Sequence, residues 1–359
     1  MSITYGDTDG MLETRARGQT LAGVDGEINY IFGDAYLIEN QRGGNDLLTG
    51  GAGSSENLMY GDAYEMSESQ GGNDRLTGGD NTVGSQLHGD AFGMFDSQGG
   101  NDVLTGGAIC FVNLLYGDAN EIFGSTGGND VLTGGANSFG NQLHGDASQM
   151  FYSEGGNDVL TGGANTSENL LYGDAYGMSG SRGGNDVLIG GANSNFNVLF
   201  GDASVMSDSQ GGNDILIASD SPVTGTFVTQ NTLCGDAERL AAGNAICGND
   251  RLISGTGHDD MWGDIAYSGY ANEPVDLTRV TTGDDVFVFS ANNGSDTIHD
   301  FRQGEDKIEL QDVGMASFDA LMAGSHLSQD SANSVITFGT NTITVVGVTE
   351  LTAADFMFT

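Results

Sequence analysis

Positive charge is scarce in this sequence. Ten lysines and arginines stand against 50 aspartates and glutamates in 359 residues, a net charge of −40. So few basic groups exclude nucleic acid as a partner, because phosphate contacts need Lys and Arg. A compact chain of this charge repels itself unless cations neutralise it. Proline is nearly absent, with two residues, whereas glycine numbers 60. That balance describes many tight turns, and the lack of a Gly-x-y period excludes collagen. The three cysteines, Cys110, Cys234 and Cys247, are an odd number without framework spacing, so disulfides do not build the fold. Two readings of Cys234 stay open: a bridge to Cys247, or replacement of an aromatic residue in a repeat. No apolar run approaches the roughly 20 residues of a membrane span. Met1–Asp7 lacks a basic segment followed by an apolar one, so no cleaved signal peptide is expected. There is no His-Glu-x-x-His and no Gly-x-Ser-x-Gly elbow within a plausible sheet. The first absence excludes a zincin-type protease and the second argues against a lipase, so no catalytic residue and no enzyme activity are expected.

What the chain does contain is a repeat. Gly127-Gly128-Asn129-Asp130-Val131-Leu132-Thr133-Gly134-Gly135 returns from Gly43 to Gly211 at steps of 28 residues. A second block, Asn141-Gln142-Leu143-His144-Gly145-Asp146-Ala147, runs in phase with it. A fixed period of this size signals a solenoid whose coils stack on one another. The expected fold is all-β: a parallel β-roll or β-solenoid with 28-residue coils and a C-terminal β cap. Residues 1–28 form a lead-in, 29–265 the repeats with an irregular insertion at about 218–248, and 266–359 the capping region. The insertion opens at Ser219-Asp220-Ser221-Pro222, and a second irregular stretch, Tyr267 to Thr282, holds Pro274.

In Val131-Leu132-Thr133 the middle residue should face inward, giving a leucine ladder from Leu48 to Leu216. Met59, Leu87, Leu115, Leu143, Leu171 and Leu199 form a second inward ladder. A third apolar row, Met66, Met94, Ile122, Met150, Met178 and Met206, falls in what reads as a long turn. Stacking at roughly 4.8 Å per coil would join these rows into one continuous core. The asparagines that open the second strand form a column able to hydrogen-bond up and down the stack.

Gly128-Asn129-Asp130-Val131-Leu132 resembles the core of G-G-x-G-x-D-x-U-x, the calcium-binding repeat of RTX proteins. Gly255-Thr256-Gly257-His258-Asp259-Asp260-Met261 matches that motif well, and the stretches around Asp285 and Asp296 match in part. The resemblance implies Ca²⁺ ions sandwiched between the turns of successive coils. Glycine opens the backbone so that carbonyls face the ion, and Asp completes an all-oxygen shell of six to eight ligands. The expected ligands are Asp46, Asp74, Asp102, Asp130, Asp158, Asp186, Asp214 and Asp250, together with Asp259, Asp285 and Asp296. The Gly-Asp-Ala residues Asp34, Asp62, Asp90, Asp118, Asp146, Asp174, Asp202 and Asp236 serve either as co-ligands or as turn caps. This chain departs from the family at the other turn, Gly134 to Asn141, which is longer and carries Asn in place of Asp. That row of turns is expected to have lost its calcium.

The block Asp285-Val286-Phe287-Val288-Phe289 to Leu310 resembles the cap of RTX proteins exported by type I secretion, and Leu351–Thr359 resembles the end of the uncleaved export signal. Val335-Ile336-Thr337-Phe338 and Thr342-Ile343-Thr344-Val345-Val346 read as a hairpin over the open end of the solenoid. The resemblance implies a secreted protein, extracellular or at the cell surface, that meets the type I secretion machinery and folds on calcium after export. Two outer rows draw notice. Phe32, Tyr60, His88, Tyr116, His144, Tyr172, Phe200, Cys234 and Trp262 form an outward aromatic stripe that calls for a cover. Thr49, Thr77, Thr105, Thr133 and Thr161 run beside a valine row, as on β-solenoid ice-binding proteins. The expected function is a self-associating extracellular scaffold or matrix component. The alternative is a binding module or adhesin for carbohydrate, host surface or ice.

Overall fold

The computed structural model describes residues 1–7, 10, 16–219, 230–268, 275–329 and 331–359. Asp220, Ser221 and Pro222 of the insertion, and Pro274, lie outside the described residues. The fold is a parallel β-solenoid of about nine turns with almost no helix. Three sheets run its length: sheet A of 14 strands, sheet B of 10 and sheet C of 12. Because the coil is 28 residues long, each residue pairs with its own equivalent one coil away. Leu132 lies on Leu160, Asn141 on Asn169 and Met150 on Met178.

Sheet C is built from triplets such as Val131–Thr133, whose β-branched flanks suit a pleated surface and whose central leucine is fully buried. Sheet A is built from strands such as Gly140–His144, which send Asn141 and Leu143 inward. The two leucine ladders meet in one core. The stretch read as a long turn is a strand in every regular coil, for instance Ala147–Phe151, and these strands make sheet B. Its Ala and Met rows form a second core, separate from the leucines. The expectation of one continuous core is therefore corrected. Gly145-Asp146 and Gly155–Asp158 pinch each coil between the cores, and polar corners cannot be filled with apolar side chains.

The asparagine column behaves as expected. Asn113 donates to Asn141, Asn141 to Asn169 and Asn169 to Asn197, at 2.8 to 2.9 Å. Each amide also closes its own turn, as where the Asn141 Oδ1 accepts the Gly135 N–H. A serine column does the same for sheet B, with Ser97 N–H donating to Ser125 and Ser125 N–H to Ser153.

The aromatic stripe is buried, contrary to the exposed surface expected. Rings from Tyr5 through Tyr60, His88, Tyr116 and His144 to Phe200 stack at 4.7 to 5.4 Å. One ring per coil covers both faces of its neighbours. A second ring row on sheet B, Tyr36, Tyr64 and Phe92, flanks the first, with Tyr60 and Tyr64 meeting edge to face. His88 and His144 are 1% and 0% exposed, and burial pushes their pKa down to about 3, so both are neutral members of the stack.

The lead-in joins the stack: Ser2–Tyr5 pairs with Asn29–Phe32 and Thr20–Ala22 with Leu47–Thr49. Past the insertion, sheet B widens into the ten-residue strand Ala237–Ile246, which pairs with Ala203–Gln210 through register shifts. At the C-terminal end Val286–Ser290, Lys307–Gln311 and Phe356–Phe358 continue sheet C. The expected hairpin is present as Asn333–Phe338 and Asn341–Val346, turning at Gly339 with φ +63. Helix Phe318–Ala323 and phenylalanines 287, 289 and 301 close the leucine core. All three cysteines are free and buried, so the Cys234–Cys247 bridge is not formed. Cys234 stacks on Phe200 in the aromatic position.

Candidate metal centre

Two rows of aspartate meet at the pinch between the cores. The first row comes from the Gly-Asp corners between sheets A and B. The second comes from the Gly-Gly-Asn-Asp corners between sheets B and C. The N–H of the second glycine donates back across the pinch: Gly72 to Asp62 and Gly100 to Asp90 at 2.8 Å, and Gly128 to Asp118 at 2.9 Å. Along the second row each aspartate N–H donates to the Oδ1 one coil on. Asp102 donates to Asp130 at 2.6 Å, and Asp130 to Asp158, Asp158 to Asp186 and Asp186 to Asp214 at 2.7 Å.

In most of these aspartates the bonds use one oxygen and leave the other, whereas Asp118 and Asp146 take the glycine N–H on both. Among the described residues no hydrogen-bond partner reaches Oδ1 of Asp34, Asp62 and Asp90, or Oδ2 of Asp174, Asp202 and Asp236. The same holds for Oδ2 of Asp46, Asp74, Asp102, Asp130, Asp158, Asp186, Asp214, Asp250 and Asp285. All these side chains are 3% exposed or less. The orphans converge: Asp34 with Asp46 and Asp62, Asp62 with Asp74 and Asp90, and Asp90 with Asp102 and Asp118 each bring oxygens within 4.8 Å of one another. Asp62 and Asp90 are thus each shared by two successive clusters.

Burial, with the neighbouring carboxylates second, pushes Asp34 up to about 9. Burial also lifts Asp46 to about 8, helped by Asp34. Asp62, Asp74, Asp90, Asp102, Asp118 and Asp130 lie well above the ordinary carboxylate range for the same reasons. A buried carboxylate without a counter-charge takes either a proton or a cation. Of the ion pairs among the described residues, only Arg302 with Asp264 touches the column. The donor set along the repeats is all oxygen, which fits Ca²⁺. The corner glycines fit as well, because a methyl at Gly61, Gly89 or Gly117 would overlap both a neighbouring glycine carbonyl oxygen and a second-row Oδ2. Two first-row carboxylates from successive coils and the second-row carboxylate between them would hold each ion. Gly117→Ala would collide with the Gly145 carbonyl and the Asp130 carboxylate. The expected outcome is a loss of about 3 kcal/mol in calcium-loaded denaturant melts, whereas Gly84→Ala, which meets nothing within 4 Å, should be near neutral.

The expected ligands divide between two places. The second-row residues, with Asp285, and the first-row residues, with Asp34, come together in the column. Asp259 and Asp296 sit at the opposite corner, at the end of the asparagine column. Asp259 accepts from the Asn231 amide and the Gly255 N–H, and Asp296 from the Asn293 amide and the Asp259 N–H. Four aspartates were not singled out by motif. Asp7 N–H donates to the Asp34 carbonyl as Asp34 N–H does to Asp62, so Asp7 opens the first row. Asp264 accepts the Gly283 N–H at 2.7 Å and extends that row. Asp300 accepts from Gly263 and Asp264 N–H. Asp306 accepts the Asp285 N–H at 3.1 Å and extends the second row. A signal existed for two of them: Tyr5-Gly6-Asp7 and Trp262-Gly263-Asp264 repeat the aromatic-Gly-Asp pattern.

Stacked parallel coils around a buried file of orphaned carboxylates define a cation-accepting β-solenoid. Residues 100–357 match the family model described as Peptidase M10 serralysin C terminal, and the chain belongs to that family, whose RTX-type repeats bind calcium. A solved structure, the extracellular lipase LipA from Serratia marcescens, aligns at 14% identity over 76% of this chain and 39% of that chain, with a TM-score of 0.22. No curated protein matches the sequence.

Proposed function

We propose that this protein is a secreted, calcium-filled β-roll acting as a non-catalytic scaffold outside the cell or on its surface, delivered by type I secretion and assembled through self-association. The observation that carries the reading is the file of buried aspartates from Asp34 to Asp285, most of which keep an oxygen that no hydrogen bond reaches among the described residues. Family membership supports calcium and export. The outer rows support lateral contacts: Phe111 and Phe139 stack at 5.0 Å while 58% and 55% exposed. Sedimentation at rising protein concentration tests it. Calcium should produce higher-order species that chelation disperses, and a monodisperse monomer throughout would overturn the scaffold.

The second reading, a binding module, is favoured by the outer face of sheet C. There Asn129, Val131 and Thr133 alternate along the strand, Val131 is 43% exposed, and Val103–Thr105, Val131–Thr133 and Val159–Thr161 present the same triplet in register. Asn157 and Asn185 extend the asparagine row by donating to the residue one coil before. Glycan arrays and ice-recrystallisation assays separate this reading from the scaffold.

A further inference from the structure

We propose that Cys247, with Asp236 and Asp264, forms a sulfur-containing site for a thiophilic divalent ion such as Zn²⁺ at one level of the otherwise all-oxygen column. This inference rests on the reading of the column as a cation site, but it assigns a different ligand chemistry and a different ion.

Cys247 stands where the regular corners, from Gly43 to Gly211, carry glycine. A Cβ at those glycines would run into the first-row carboxylates; at Gly211 it would overlap Asp236. At Cys247 a side chain is present there, and its sulfur lies with carboxylate oxygens of Asp236 and Asp264, all within 4.8 Å of one another and all buried. Asp236 is 0% exposed; its Oδ1 accepts the Gly248 N–H at 2.8 Å, and no hydrogen-bond partner among the described residues reaches its Oδ2.

The reason for sulfur at this level lies one coil on. Asp62 and Asp90 each keep an oxygen with no cationic side chain beside it, whereas Asp264 gives Oδ1 to the Gly283 N–H and sets Oδ2 in an ion pair with Arg302. The guanidinium competes for that oxygen and adds positive charge, so a hard, highly coordinated Ca²⁺ loses attraction and part of its shell, while the Asp264 carboxylate keeps a lone pair for an ion of smaller shell. A thiolate restores the missing ligand and shifts preference towards ions that bond to sulfur, which accept a smaller shell. The backbone is fixed for the purpose, since the Cys247 N–H donates to the Thr281 carbonyl at 2.8 Å. On binding, the thiol releases its proton to solvent and the sulfur lone pair enters the metal bond.

The test uses the full chain loaded with calcium and titrated with Cd²⁺, read by the ultraviolet thiolate-to-cadmium charge-transfer band, with Zn²⁺ as competitor. The expected result is a band that saturates at one equivalent, is displaced by Zn²⁺ and resists excess Ca²⁺. Cys247→Gly, which restores the repeat's own residue, should abolish the band and weaken Cd²⁺ binding at least about tenfold. Cys110→Ser and Cys234→Ser should leave it intact. No band in the parent chain, or a band that survives Cys247→Gly, would overturn the proposal. Circular dichroism of the parent chain with and without calcium keeps the two readings apart. A chain that folds equally well in chelator yet shows the band refutes the calcium reading and leaves the sulfur site standing.

Discussion

Exhaustive chelation at neutral pH is expected to abolish most of the β-sheet circular dichroism of the repeats, and restored calcium to bring it back. The magnitudes compel this result. Two ionised carboxylates about 4 Å apart repel by about 4 kcal/mol at an effective dielectric constant of 20. Three carboxylates lie within 4.8 Å in each of the clusters from Asp34 to Asp118. Those clusters alone exceed the roughly 5–15 kcal/mol that holds a domain together. Protonation is the other escape, and it too is costly. With Asp34 raised to about 9 against about 3.9 in an open chain, keeping its proton at pH 7 costs about 4 kcal/mol. Asp130→Asn should raise the calcium midpoint of the transition by removing one carboxylate from the column. A β signal that persists after elemental analysis shows the metal gone would defeat the prediction.

Acid acts in opposite directions on the two forms. In the metal-free chain the folded pKa values of Asp34 and Asp46, about 9 and about 8, lie above those of the open chain. The folded state therefore binds more protons, and its stability is greatest below about pH 4 and is lost as pH rises towards 8 or 9. In the calcium form the carboxylates must be ionised, so acid competes with the ion and lowers stability. Between pH 5 and pH 8 the β-sheet signal in chelator should fall as pH rises, whereas the melting temperature in calcium should climb. Parallel slopes would show that the column carries neither exchange.

The period, the leucine ladders and both aspartate rows were legible in the sequence because each side chain repeats at fixed phase and each inward position is marked by its type. Sheet B was not. Its buried residues, Ala147 and Met150, are separated by two positions, and its strands are flanked by glycine and serine, so neither a period of two nor β-branching marks it. The burial of His88 and His144 was hidden for a different reason. Alternation correctly turns them away from the leucine core, but it does not show that sheet B folds back beside them. Asp259 carried the strongest local motif and Asp296 a partial one, yet both fall outside the file. Their corner is the one where the asparagine amides, and not carboxylates, run through the stack.

The sharing of first-row carboxylates has a consequence for how order spreads. A bend owns half of two neighbouring ion cages, so no cage is whole until the next layer settles. Growth then resembles a crystal adding one sheet of atoms at a time, steep in ion concentration and slow to start. Arg302, already resting on Asp264, gives the far terrace a fixed positive charge, and the first layer can be laid there.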